Sequence, residues 1–109
     1  MLSRTDEMIL LAVWRLEDNA YGVTIAEMLT STSGKKWNLG GIYVPLERLK
    51  KKGYLTSTLG KSTKKRGGRS KRLYRLTKQG FHVLIATKVR EQTIWDGISV
   101  SSLEKGYDA

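Results

Sequence analysis

Apolar residues recur at helical spacing over three stretches in the first half of the chain. A first helix is predicted over 3–16, where Ser3 and Asp6 fit a capping box. A second helix is predicted over 21–32 and is stopped by a run of serine, threonine and glycine. The stretch 35–37 then has room for a one-bridge strand before a third helix.

The third helix is predicted between two caps. Asn38 is a good N-cap, and Gly53 lies where a left-handed C-cap is expected after three lysines. Between the caps, Ile42, Leu46 and Leu49 recur at helical spacing and would face a core. The second and third helices, joined by a short turn, match a helix-turn-helix.

Pro45 conflicts with a regular helix that begins directly after Asn38. A proline this far into a helix removes a backbone donor and clashes with the preceding turn. We therefore expect the regular α-helix to begin only near Gly41 or Ile42, which would put Pro45 in its first turn.

A hairpin and one further helix are predicted in the second half of the chain. Strand-forming residues at 55–59 and 73–76 flank the polar, glycine-rich loop 60–70. Thr77 is a suitable cap for a fourth helix. The expected class is mostly α with a small β-hairpin (α+β), a winged helix-turn-helix plus a C-terminal helix. The expected parts are a winged helix-turn-helix domain at 1–76, a dimerisation helix at 77–98 and a flexible tail at 99–109.

The fourth helix has an apolar side that no later element of the chain would cover. A helix with that much exposed apolar surface is expected to be buried against another surface. The natural cover is the same helix of a second chain, so we expect a homodimer. The expected interface residues are Trp14, Phe81, Leu84, Ile85, Trp95 and Ile98.

The net charge is +10, and its distribution is uneven. The segment from Arg48 to Arg75 holds 12 of the 20 basic residues and no acidic residue. A segment of one sign on an otherwise near-neutral chain points to a polyanionic partner. A helix-turn-helix beside a basic hairpin makes double-stranded DNA the expected partner.

The expected DNA contacts lie at the start of the second helix, on the third helix and in the hairpin. Tyr43 lies off the core face, where it would meet a phosphate or a base edge, unless it packs against the hairpin. Tyr21 has an equal alternative as a hydrophobic staple, and Asn38 is a cap first. The full predicted set is Tyr21, Asn38, Gly40, Gly41, Tyr43, Val44, Arg48, Lys51, Lys61, Lys64, Lys65, Arg66, Arg69, Lys71 and Arg72.

Enzymatic and metal sites have no support in the sequence. There is no cysteine, and His82 is the single histidine, so thiolate sites and Ser-His-Asp or Cys-His centres are not expected. No cofactor is expected either. The longest apolar run, Met8 to Trp14, is far too short to span a membrane. The protein is therefore expected to be cytoplasmic, with no membrane partner.

Five segments together resemble the PadR-like family of transcriptional regulators. The segments are 7–13, 20–25, 39–55 (Leu39-Gly40-Gly41-Ile42-Tyr43, Leu46-Glu47-Arg48-Leu49 and Lys52-Gly53-Tyr54-Leu55), 67–77 (Gly67-Gly68-Arg69 and Lys71 to Thr77) and 95–98 (Trp95-Asp96-Gly97-Ile98). This resemblance implies a winged-helix dimer that binds a palindromic operator, usually as a repressor. It implies that the third helix enters the major groove and that the hairpin reaches the adjacent backbone or minor groove.

The chain is short for this family and is expected to have a single C-terminal helix. In short members, small aromatic effectors bind between the subunits near aromatic side chains, so Trp14 and Trp95 would be near such a site. Two other functions stay open at this point: a nonspecific nucleic-acid-binding protein, and a winged helix used as a protein-interaction module.

Overall fold

The computed structural model describes residues 1–60 and 71–108, so most of the basic loop lies outside the described residues. Within those ranges the chain forms five α-helices, one short 3-10 turn and one β-hairpin. In chain order they are α1 (Arg4–Leu16), the 3-10 turn (Glu17–Asn19), α2 (Gly22–Ser33), α3 (Leu39–Lys51), β1 (Leu55–Leu59), β2 (Arg72–Leu76), α4 (Lys78–Ile94) and α5 (Val100–Asp108). The predicted α+β winged-helix class is confirmed.

One hydrophobic core holds the first three helices together. Helices α1, α2 and α3 pack on one another, and the hairpin closes the core by inserting Leu55 and Tyr74. Burying these side chains is the main stabilising contribution, at roughly 1.5–3 kcal/mol for each large apolar side chain. The fully buried helical members are Ile9, Leu10, Ile25, Leu29, Ile42, Leu46 and Leu49.

Helix α3 has both predicted caps. The Asn38 side-chain oxygen accepts a hydrogen bond from the Gly41 backbone N–H at 2.7 Å. At the other end Gly53 has φ +85°, and its N–H donates to the carbonyl of Lys50 at 3.0 Å. The next N–H, that of Tyr54, returns to the carbonyl of Leu49 at 3.0 Å, which completes a Schellman motif.

Pro45 lies inside α3, and the expectation that the helix begins near Gly41 or Ile42 was wrong. The helix begins at Leu39 and runs through the proline. The hydrogen bond that a proline cannot donate would have ended on the carbonyl of Gly41, in the first turn. The Pro45 ring is itself buried, so its packing against the core offsets the lost hydrogen bond.

The hairpin is joined to the helices by a backbone hydrogen bond outside its own ladder. Strands β1 and β2 are antiparallel, from the pair Leu55–Leu76 to the pair Leu59–Arg72. The Tyr74 N–H donates to the carbonyl of Ala20 at 2.8 Å, just before α2. No bridge forms at 35–37, where one was considered, since the Trp37 N–H donates to the Thr30 hydroxyl at 3.1 Å.

The predicted single helix over 77–98 ends earlier than expected, at Ile94. Gly97 has φ +74°, a left-handed conformation that ends the helix and redirects the chain. Ser99 and Ser102 then exchange hydrogen bonds, 2.9 and 3.0 Å, between their side chains and backbone N–H groups. That reciprocal cap starts α5, a helix that the sequence analysis did not predict within 99–109. The proposed division into domains stays a prediction.

The chain is elongated for its length. Its Cα radius of gyration is 17.1 Å and its longest extent is 61 Å. A compact chain of this length would have a radius of about 13 Å. The residues from 92 to 108 are all exposed, so the end of α4 and all of α5 project from the core.

Among the described residues no helix is both long and apolar enough to cross a bilayer.

Gly80 is predicted to be essential for packing α4 on the hairpin. A Cβ there would press on the backbone carbonyl oxygen of Tyr54, which already accepts from the Thr77 N–H at 3.1 Å. We expect Gly80→Ala to lower the free energy of unfolding by about 1–3 kcal/mol, measured by denaturant unfolding. Gly106→Ala, which meets nothing within 4 Å in α5, is the control. Equal midpoints for the two variants would contradict this role.

Candidate nucleic-acid interface

The face of α3 that points away from the core is solvent-exposed along its whole length. The core side is formed by buried Ile42, Pro45, Leu46 and Leu49. The outward side carries small, apolar and charged residues together, which is the mixture found where a helix reads base edges and phosphates. Its exposed members are Leu39, Gly40, Gly41, Tyr43, Val44, Glu47, Arg48 and Lys51.

Tyr43 packs against the start of α2. A Cβ built on Gly22 would lie 2.8 Å from the Tyr43 hydroxyl oxygen and 3.1 Å from its Cζ. The glycine is therefore needed for the ring to approach so closely. Tyr43 stays 45% exposed, so one side of the ring is fixed while the other faces solvent.

Tyr21 and Lys71 bring the hairpin to the same place. The Tyr21 N–H donates to the Thr24 hydroxyl at 3.0 Å, which caps the start of α2. The Lys71 ammonium lies 4.5 Å from the centroid of the Tyr21 ring, a cation–π contact. Because Tyr21 precedes Gly22, the predicted residues Tyr21, Tyr43 and Lys71 meet where α2, α3 and the hairpin join.

Asn38 and the two glycines that follow form the start of α3. The Asn38 side chain is occupied by the cap, which is the role that the sequence analysis placed first. A Cβ on Gly41 would lie 3.2 Å from that side-chain oxygen, so a larger residue would press on the cap. Gly40 and Gly41 are exposed, and phosphate contact by them stays a prediction.

Arg48 is held by a partner within the protein. Its guanidinium Nη2 lies 2.6 Å from Oδ1 of Asp6, whose side chain is only 5% exposed. The Asp6 carboxylate therefore ties α1 to α3, while the Asp6 N–H donates to the Ser3 hydroxyl at 3.1 Å. Ser3 caps α1 as predicted, but Asp6 completes an ion pair where a full capping box was expected. This ion pair was not predicted from the sequence.

The remaining basic residues of the predicted site divide into two groups. Arg72 in β2 donates from Nη1 to the Ser57 hydroxyl of β1 at 3.2 Å, so it braces the hairpin while staying exposed. Lys51 is exposed near the end of α3. The other group lies outside the described residues and consists of Lys61, Lys64, Lys65, Arg66 and Arg69.

Tyr74 links the hairpin to α3 through Glu47, a contact that the sequence analysis did not find. The Tyr74 hydroxyl donates to Glu47 Oε1 at 3.3 Å, and the ring is 1% exposed. Burial, and then the charge and hydrogen bond of Glu47, raise the pKa of Tyr74 to about 12. The phenol therefore stays protonated and keeps donating at physiological pH. The two residues are 27 positions apart, so no local pattern could have paired them.

The residues predicted for dimerisation do not form one continuous stripe. Leu84 packs against the core of its own chain. Phe81 and Ile85 lie on the outward side of α4, and Phe81 borders a cleft of about 360 Å³ that Trp14 also lines. Trp95 borders a second cleft of about 280 Å³ between the start of α1 and the end of α4. Ile98 is exposed beyond that end. Trp14 and Trp95 therefore line different clefts of one chain.

Among residues 1–60 and 71–108, no group of three or more His, Asp or Glu side chains is placed to hold a metal ion.

A capped, outward-facing helix beside a basic hairpin defines a winged helix-turn-helix protein of the DNA-binding type. A family model described as the transcriptional regulator PadR-like family matches residues 10–86. The chain belongs to this family, whose members are DNA-binding transcriptional regulators and not enzymes.

Solved structures of similar proteins have the same fold. RosR of H. salinarum has a TM-score of 0.71 at 21% identity, over 97% of this chain and 88% of that one. A PadR-like transcription factor from Bacteroides fragilis has a TM-score of 0.68 at 24% identity, over 83% of this chain and 82% of that one. A PadR family transcriptional regulator from Eggerthella lenta has a TM-score of 0.66 at 24% identity, over 87% of this chain and 80% of that one. A comparison with curated proteins found no match.

Arg48 is predicted to support the position of α3, whatever else it contacts. We expect Arg48→Gln to lower the free energy of unfolding by about 1–3 kcal/mol, because Asp6 would stay buried without a charged partner. This expected loss is smaller than that for breaking a fully buried ion pair, because Arg48 itself is 45% exposed. Denaturant unfolding measures the change.

Lys51→Gln is the control for Arg48→Gln, since it removes one positive charge from the same face. Lys51 is exposed, so its replacement should change stability by less than about 0.5 kcal/mol. Adding Asp6→Asn to Arg48→Gln should recover part of the loss. Equal stability of the Arg48 and Lys51 variants would show that the Asp6 contact does not hold α3 in place.

Proposed function

We propose that this PadR-like regulator is a homodimer that binds a palindromic operator, α3 in the major groove and the basic hairpin on the adjacent backbone or minor groove. The proposed effect is repression, through occupation of a promoter in the cytoplasm. The observation that carries the proposal is the outward face of α3, which is exposed along its length. Tyr43 of this face packs on Gly22 at the start of α2, next to Tyr21, which contacts Lys71 of the hairpin.

The charge distribution supports contact with the DNA backbone. The 12 basic residues from Arg48 to Arg75 fall in one stretch of sequence, which begins in the last turn of α3 and ends in strand β2. Each phosphate that they neutralise would release counterions, so the affinity should fall steeply with salt. Within the described residues, Lys51 and Lys71 are exposed or half-exposed at this surface.

The outward face of α4 supports a second copy of the chain as partner. Phe81, Ile85 and Val89 follow one another at four-residue spacing and are 42%, 60% and 54% exposed. The opposite side of α4 is already used, since Val83 and Leu84 pack on the core. A two-fold axis through α4 would present two copies of α3 to half-sites about 34 Å apart.

A small aromatic effector is a further part of the proposal. The cleft that Trp14 and Phe81 line has an apolar wall and lies next to the proposed dimer face. A bound aromatic molecule would stack on those rings. Since Trp95 lines the other cleft, the two tryptophans would approach one ligand only if they came from different subunits.

The proposed function predicts strong preference for one DNA sequence. Fluorescence anisotropy would compare the DNA upstream of the protein's own coding region, and the best duplex selected from a random library, with scrambled duplexes. We expect roughly a thousandfold or tighter binding to the specific site at physiological salt. Equal binding to all duplexes would support a nonspecific nucleic-acid-binding protein, and no binding would support a protein-interaction module.

Two variants separate sequence reading from backbone contact in that assay. Tyr43→Ala should lower the ratio of specific to scrambled affinity, because it removes a half-exposed side chain from the outward face of α3. Lys71→Gln should weaken both affinities similarly and reduce the salt dependence, because it removes one positive charge. If Tyr43→Ala left the ratio of specific to scrambled affinity unchanged, Tyr43 would not be one of the residues that read the base sequence.

Dimerisation predicts a solution mass twice the chain mass of 12.3 kDa. Ile85→Glu should halve that mass, because it puts a charge at the centre of the apolar face of α4. Light scattering at micromolar concentration measures it. Leu59→Glu is the control, since Leu59 is similarly exposed, at 66%, but lies on the hairpin. A wild-type mass of one chain, or a dimer that tolerates Ile85→Glu, would contradict the proposed interface.

A further inference from the structure

Glu47 is an acidic residue at the centre of a surface that is otherwise suited to a polyanion. Successive residues of an α-helix are rotated by about 100°, so Glu47 lies about 150° from the middle of the buried face of α3. Val44 and Lys51 flank it on the outward side and are exposed with it. Glu47 is also the one acidic residue in the α3 sequence.

The Glu47 carboxylate is oriented by a rigid donor. The Tyr74 hydroxyl donates to Oε1 at 3.3 Å from a ring that is 1% exposed and fixed in the core. The raised pKa of Tyr74 keeps that proton in place. No ion pair within 4.0 Å involves Glu47 in the part of the chain that the structure describes. One carboxylate oxygen is therefore held by Tyr74, and the other can accept from a ligand at the exposed surface.

The DNA phosphates repel a carboxylate that enters the major groove. The carboxylate must therefore accept a hydrogen bond from a base to offset that repulsion. Cytosine presents an N4 amino donor and no acceptor in that groove, so it suits a single carboxylate oxygen. Adenine places its N7 acceptor beside its N6 amino group, and that acceptor would repel the carboxylate. Guanine and thymine present acceptors at this height of the groove and would be rejected.

We propose that Glu47 is a specificity-determining residue that accepts a hydrogen bond from the N4 amino group of a cytosine, with Tyr74 as its positioning residue. This inference rests on the proposed function, since it requires α3 in the major groove of a specific site. The alternative role of Glu47 is structural, as the acceptor that satisfies the buried Tyr74 hydroxyl. The two roles predict different effects of the same substitution.

The test uses Glu47→Gln in the full chain, on the best duplex that the wild-type protein selects. The amide oxygen can still accept from Tyr74, so the fold is kept, but an N–H₂ donor replaces the second carboxylate oxygen. In the wild-type protein, replacing one C·G pair by T·A in a single half-site should weaken binding by about 5- to 150-fold. In Glu47→Gln that preference should disappear or reverse towards thymine, whose O4 accepts. The other positions should keep their preferences.

Glu104→Gln is the matched control, because it removes the same charge from an exposed position on α5. It should leave every base preference unchanged. Tyr74→Phe keeps the ring and removes the hydroxyl. It should therefore reduce the ratio of the affinity for the duplex with cytosine to the affinity for the duplex with thymine, without changing the affinity for scrambled DNA. A Tyr74→Phe ratio equal to that of the wild-type protein would overturn the positioning role.

The outcomes distinguish this inference from the proposed function. A wild-type protein that prefers no selected duplex over scrambled DNA would overturn the proposed function, and the inference with it. A wild-type protein with a specific site, whose base preferences survive Glu47→Gln at every position, would overturn the inference alone. That second result would leave Glu47 as the partner of Tyr74 only.

Discussion

The burial of Tyr74 fixes the geometry on which the whole surface depends. Its ring is among the largest side chains in the core, its N–H donates to Ala20 at 2.8 Å, and its hydroxyl donates to Glu47 at 3.3 Å. A two-stranded hairpin is only marginally stable by itself in water. Here the hairpin takes its stability from the helical core, and the same side chain sets its position against α2 and α3.

The orientation of α3 follows from a second link of a different kind. Arg48 reaches back to the nearly buried Asp6 on α1, so the helix is held by an ion pair on one flank and by Tyr74 on the other. The pair favours one arrangement of α3, because the nearly buried Asp6 charge would be costly if it were left without its partner. Asp6 is thus placed behind α3 and away from the surface where phosphates would lie.

The sequence predicted those parts of the fold that depend on local chemistry. The Asn38 cap, the left-handed Gly53 and the two strands were all found, because each requires particular residue types at fixed offsets. Pro45 was misread, since its burial and the position of the lost hydrogen bond depend on the tertiary core. The missed α5 had a local signal in Ser99 and Ser102, which the polar composition of the segment obscured.

The site was predicted less completely than the fold, for a physical reason. Basic residues in a run can be recognised without knowing where they point, but pairs distant in sequence cannot. Arg48 with Asp6 and Tyr74 with Glu47 are 42 and 27 positions apart. The approach of Tyr43 to Gly22 likewise depends on how α2 crosses α3. These contacts decide which residues of α3 support the fold and which are left to meet a ligand.

The two ends of the molecule would then have separate tasks. Gly80, Val83 and Leu84 attach the first half of α4 to the core, whereas every residue from 92 to 108 is exposed. Within one chain α3 and the hairpin are held as a unit, so their shape would set which half-site fits. In the proposed dimer, the spacing between half-sites would depend on α4 and its contacts alone. A change in the outward part of α4, at Ile85 or Val89, would alter the spacing between half-sites and leave the outward face of α3 unchanged, because both side chains are exposed and lie outside the core that holds α3.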